Sequence, residues 1–197
     1  DHRVNHHGEG FFVAENGLLV AKIFDAPTSE TSVFKDNNIE VFAFSVPHGP
    51  IHGAVGYRIV AGNRSVIISG DTDLMDDYSF ANGVDVLIHE AILEQESAEI
   101  SRAAYRVGND RMGVVFHDIQ NYHANLMDYD DQPGLLSRLE GIDIGMLALI
   151  HIIPDKDQPI VKRVLRRFKS KSSHETVVVN DNMVMELPLN SDKIFIK

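Results

Sequence analysis

The chain of 197 residues contains no cysteine. Disulfides, thiolate zinc sites and a cysteine nucleophile are therefore excluded, and the redox compartment stays open, with the cytoplasm favoured. Long apolar runs are also missing. None approaches the roughly 20 residues needed to cross a bilayer, so no membrane partner is expected. Cations are scarce: 18 Lys and Arg stand against 29 Asp and Glu, for a net charge of −11. That balance argues against a surface that coats nucleic acid generally. It leaves an anionic substrate open, because bound divalent cations would change the local field. The start, Asp1-His2-Arg3, has neither an initiator methionine nor a signal-peptide pattern, and the expectation is a fragment or a processed chain.

What is present in quantity is histidine, ten in all. The hydrophobic share of 44% and charged share of 24% suit one folded domain. The stretch Val46–Ala91 organises the rest. Two β-type runs, Ala54–Val60 and Ser65–Ser69, flank the turn Gly62-Asn63, and a third apolar run, Val84–Ile88, ends at His89-Glu90. Before it, Asn16-Gly17 and Asp36-Asn37-Asn38 each sit between apolar runs and predict hairpins. Thr72–Asn82 predicts a short helix, as do Ile92–Val107, Arg111–Asn121, Gly134–Glu140 and Ile160–Phe168. Ile144–Ile153 reads as a strand buried on both faces, broken only by His151. Thr176–Val179 and Met183–Leu187 read as a final hairpin. Helices mixed with strands predict a layered α/β or α+β sandwich.

Chemistry-bearing residues gather at the ends of the apolar runs: His48, Asp71, His89-Glu90, His123 and His151. Singly, each has an ordinary explanation, such as a surface imidazole or a helix-capping aspartate. Together, several histidines and carboxylates without thiolates form the ligand set of a hydrolytic zinc, manganese or iron site. The basic residues Lys162, Arg163, Arg166, Arg167, Lys169 and Lys171 read as a solvated helix face, with cations favoured near its C-terminus.

The order of these motifs resembles the metallo-β-lactamase superfamily, on its ribonuclease Z and arylsulfatase-like branch. The resemblance rests on His48 with Gly56-Tyr57-Arg58-Ile59, on Val66–Thr72 ending in Gly-Asp-Thr, and on Val86–Ala91. It extends to Asp118–Ala124 around His123 and to Leu147–Pro154 around His151. The resemblance implies an α+β, αββα-type sandwich: a mixed sheet with flanking helices, forming one partial domain over residues 1–197, mainly the C-terminal portion of that fold. It implies His48 and His151 as ligands of two different metals and Asp71 as the carboxylate bridging them, with zinc first and manganese or iron as alternatives. It implies His123 as general acid or oxyanion donor, with Glu90 or His89 orienting it. The superfamily's H-x-H-x-D-H motif is absent. The expected function is therefore hydrolysis of ester, phosphodiester or sulfate-ester bonds on small-molecule or phosphodiester substrates, weak or absent in this chain alone. Homo-oligomerisation, or pairing with a missing N-terminal half, is expected to complete it. The alternatives are a non-catalytic binding or assembly module and an RNA-processing endonuclease of the ribonuclease Z kind.

Overall fold

The computed structural model describes residues 23–129 and 131–197. The hairpin expected around Asn16-Gly17 lies outside them, apart from Ile23 and Phe24, which are not in a strand. Among the described residues, the first seven strands build one sheet in simple sequence order. Strands β1 (Thr31–Lys35), β2 (Glu40–Ser45), β3 (Val55–Ala61) and β4 (Arg64–Ile68) form an antiparallel meander. Strands β5 (Val84–Ile92), β6 (Ile144–Ile153) and β7 (Thr176–Val178) continue it in parallel. Parallel neighbours need crossovers. The β5–β6 crossover carries α1 (Glu94–Arg106), α2 (Asp110–Asp118) and α3 (Leu135–Arg138), and the β6–β7 crossover is α4 (Pro159–Lys171). The architecture is α+β, a mixed sheet with flanking helices.

Strand alternation sorts side chains to the two faces. Ile67, Leu87, Leu147 and Leu149 point to one face, where Leu135, Leu139, Val161, Leu165 and Phe168 from α3 and α4 cover them. Val86, Met146 and Ala148 point to the other, against Met185, Leu187 and Ile194 from the C-terminal segment. The amphipathic pattern of α4 explains its place: Val161, Leu165 and Phe168 recur at helical spacing and are buried, while its cations stay outside.

Three expectations need correction. Thr72–Asn82 is not a helix: only a short 3-10 turn, Ser79–Ala81, forms there. The Thr72 N–H donates to Glu90 and the Asp73 N–H to the Pro47 carbonyl at 2.6 Å, which tie the start of this segment to the ends of β5 and β2. Strand β7 does not form a hairpin with the following segment. It docks in parallel beside β6, and β8 (Met185–Glu186) pairs instead with β9 (Phe195–Ile196). An apolar edge position beside β6 is worth more to Val177 and Val178 than a solvated hairpin. Finally, β6 is buried only over its first two-thirds, and His151 near its end is exposed.

Candidate metal centre

The strands β2, β4, β5 and β6 all run toward one edge of the sheet. Their C-terminal ends deliver the predicted residues there, the edge at which open α/β sheets commonly place ligands. His48 follows β2 and Asp71 follows β4. Glu90 sits near the end of β5 and His151 near the end of β6. His123 comes from the loop after α2. That loop is tied to the end of β5, because Ile92 N–H donates to the Ala124 carbonyl and Leu126 N–H to the Ile92 carbonyl, both at 2.8 Å.

Local backbone features aim these side chains. Gly70 takes a left-handed conformation (φ 66°), which lets the chain turn sharply out of β4 before Asp71. The register of β5 against β6 slips by one residue: Glu90 faces Ile150, but Ala91 faces Ile152. His151 is the residue left over, also left-handed at φ 44°. A bulge of this kind re-aims a side chain. Without it, strand alternation would send His151 under the helices with Leu147 and Leu149. With it, the imidazole reaches Asp71 (Nδ1 to Oδ1, 3.0 Å) and approaches Glu90 (3.7 Å).

Glu90 is fully buried and central. Its carboxyl lies 2.6 and 2.8 Å from His123 Nδ1 and accepts the Thr72 N–H. Burial pushes its pKa up to about 8; the Thr72 N–H opposes the rise, and the like charges of Asp71 and Asp73 add to it. Burial pulls His123 down to about 4, and His151 and His48 pull it further. The contact holds Nδ1 of His123 against the Glu90 carboxyl and leaves Nε2 turned away from it. His48 donates from Nδ1 to the Tyr122 carbonyl at 2.9 Å, which leaves its Nε2 lone pair free. The rings of His48 and His123, and of His123 and His151, meet edge-on with centroids 5.1 and 5.4 Å apart.

Two overlapping donor groups result, His48–Glu90–His123 and Asp71–Glu90–His151, each with its ligand atoms within 4.8 Å. Nitrogen and oxygen donors at this spacing suit a divalent cation such as zinc, manganese or iron. A residue that sequence reasoning passed over is Asp73, half-buried, its pKa raised by burial against the opposing Leu74 N–H. The Gly-Asp-Thr-Asp run, with two carboxylates spaced by one residue, was the available signal.

His89 is set apart from this centre. Alternation along β5 turns it to the helical face, opposite to Glu90. It is fully buried there, with Nε2 3.0 Å from the Tyr78 hydroxyl and Nδ1 2.6 Å from the Glu90 carbonyl. Burial lowers its pKa to about 4 and raises that of Tyr78. The pair is a hydrogen bond within the core, and of the two residues expected to orient His123 it is Glu90 that contacts it.

No family model and no curated protein matches the chain. Solved structures do. The metallo-β-lactamase fold protein YhfI from Bacillus subtilis is 16% identical with a TM-score of 0.50, over 83% of this chain and 52% of that one. Zn(2+)-bound PqqB from Methylobacterium extorquens is 18% identical with a TM-score of 0.51, over 78% of this chain and 52% of that one. The chain has the metallo-β-lactamase-like fold, and it spans about half the length of these structures.

Proposed function

We propose that the chain carries the metal-binding strand ends of a metal-dependent hydrolase acting on ester, phosphodiester or sulfate-ester bonds. The observation that supports this most is the convergence of His48, Asp71, Glu90, His123 and His151, from five separate chain segments, on donor groups within 4.8 Å. His48, Asp71 and His151 are the proposed ligands, with Asp71 as the proposed bridging carboxylate; Asp71 groups with His151, and Glu90 is the carboxylate common to both donor groups. A divalent cation bound there supplies Lewis-acid polarisation of the scissile bond and a lowered pKa for water. His123 presents the Nε2 hydrogen to the leaving group or the developing oxyanion. Glu90 positions His123 through the 2.6 Å contact and keeps it supplied with a proton. Three ligands spread over two metal positions fall well short of the four that each zinc usually takes, so the remainder would come from residues outside the described set or from a second chain.

The test is metal analysis of the purified chain, its His48→Ala and Asp71→Ala variants, and turnover of bis(p-nitrophenyl) phosphate, p-nitrophenyl acetate and an aryl sulfate with added Zn2+ or Mn2+. Each substitution is expected to lower bound metal and turnover together. Metal content unchanged by both would sink the ligand assignment. A second reading, a non-catalytic binding or assembly module, draws support from the half-exposed Asp71 and His151, which hold any cation loosely. Intact folding with neither metal uptake nor turnover would favour it.

A further inference from the structure

The geometry points to a phosphate subsite between α4 and β7, joined to the metal centre, so that the substrate carries a second phosphate group remote from the scissile bond. This deepens the hydrolase reading and rests on it for the role of His151. A groove of about 250 Å³ runs there over an apolar floor of Leu165 and Val178. Lys156, Lys162, Arg166 and Lys169 line it, with Asp157 as its acidic member.

The charges are unevenly satisfied. Asp157 is occupied by Lys162 at 3.0 Å and lies 3.7 Å from Lys156. Arg166 and Lys169 have no carboxylate partner among the described residues, as is true of Arg163, Arg167 and Lys171 on the same helix, so within the groove these two charges are open to an anion. Residues Lys162, Arg166 and Lys169 fall at i, i+4 and i+7 and share one helix stripe about 10 Å long. A planar guanidinium beside a flexible ammonium is a pairing suited to phosphate oxygens. The chain as a whole is acidic at −11, and a groove with four cations and one carboxylate stands out against that balance.

The groove also leads to the site. Lys156 and Asn180 form its wall and, equally, the wall of a neighbouring 510 Å³ cavity that contains His151 and Pro154. The space lined by Arg166 and the space lined by His151 are therefore neighbours across a shared wall. A solvated helix face would need no such connection, and the unpaired cations would then be indifferent to phosphate.

The experiment uses the 15N-labelled full chain without metal, titrated with inorganic phosphate and then with a mixed-sequence single-stranded 12-nucleotide. Amide shifts at Lys162, Arg166, Lys169 and Asn180 are expected. Arg166→Gln/Lys169→Gln, with folding checked by circular dichroism, should weaken phosphate binding by ~tenfold or more. Lys171→Gln, at the end of the same helix and outside the groove, should not. If the oligonucleotide binds much tighter than phosphate, and the double variant lowers its salt slope by about 1.4, the phosphate belongs to a polynucleotide. If it binds no tighter, the phosphate belongs to a small phosphorylated molecule. Shifts confined to other regions, or equal losses in the double variant and in Lys171→Gln, would overturn the subsite. Binding here needs neither metal nor turnover. Intact phosphate binding with metal uptake insensitive to His48→Ala and Asp71→Ala would therefore fail the hydrolase reading alone.

Discussion

Lowering the pH should destabilise the fold through His89, and the size of the effect follows from its burial. In the unfolded chain His89 titrates at the ordinary 6.5, and in the folded protein at about 4. The folded pKa is depressed, so the unfolded state binds more protons between the two values. Stability is then complete above 6.5 and is lost as pH falls toward 4. A tenfold change in proton affinity corresponds to about 1.4 kcal/mol, so the full linkage is ~3 kcal/mol, of which ~2 kcal/mol is lost between about pH 7 and pH 4.5. Carboxylates add their own acid dependence, so the comparison must be differential. The perturbation is His89→Gln, whose amide can still meet the Tyr78 hydroxyl but cannot titrate. Urea unfolding at several pH values, followed by far-UV circular dichroism, measures both proteins. The wild type should lose ~2 kcal/mol more than the variant over that range. Parallel stability curves would refute the reasoning, and so would a wild type that falls less steeply.

Three further outcomes are expected. Glu90→Gln keeps an acceptor for the Thr72 N–H but removes the proton-holding carboxyl beside His123, and should lower kcat about 10–100-fold with KM little changed, in steady-state assays with metal saturating. Gly49→Ala places a Cβ 2.5 Å from Tyr122 Cβ at a left-handed φ of 48°. It should cost ~1–3 kcal/mol in urea unfolding and weaken metal retention on dialysis, because Tyr122 carries the carbonyl that orients His48. Leu147→Ala empties a fully buried position between the sheet and its helices and should cost about 2–5 kcal/mol, read as a shift of the urea midpoint at constant slope.

Much of this molecule was legible in its residues, for local reasons. Gly62-Asn63 and Asp36-Asn37-Asn38 specify tight turns by their own backbone preferences, and the hairpins β3–β4 and β1–β2 close there. The period of Ile160–Phe168 foretold α4, and the apolar run at Ile144 foretold the central parallel strand. The candidate ligands were visible because polar groups at the ends of apolar runs stand out against their surroundings.

What only the tertiary structure decided depends on partners distant in the chain. His89 and Glu90 are adjacent, and composition cannot say which faces the candidate metal centre. The alternation of β5 between two different layers sends Glu90 to His123 and His89 to Tyr78. His151 reaches Asp71 only because β6 slips one residue against β5, a register fixed by pairing between segments far apart in the chain. Thr72–Asn82 has helical spacing, but its start is tied to Glu90 and Pro47, partners distant in the chain, and only Ser79–Ala81 makes a helical turn. The sequence by itself therefore determined which residue types could hold a metal and where strands and turns begin. Which of them converge was decided by sheet register and face, because those are set by long-range pairing rather than by any residue's own preference.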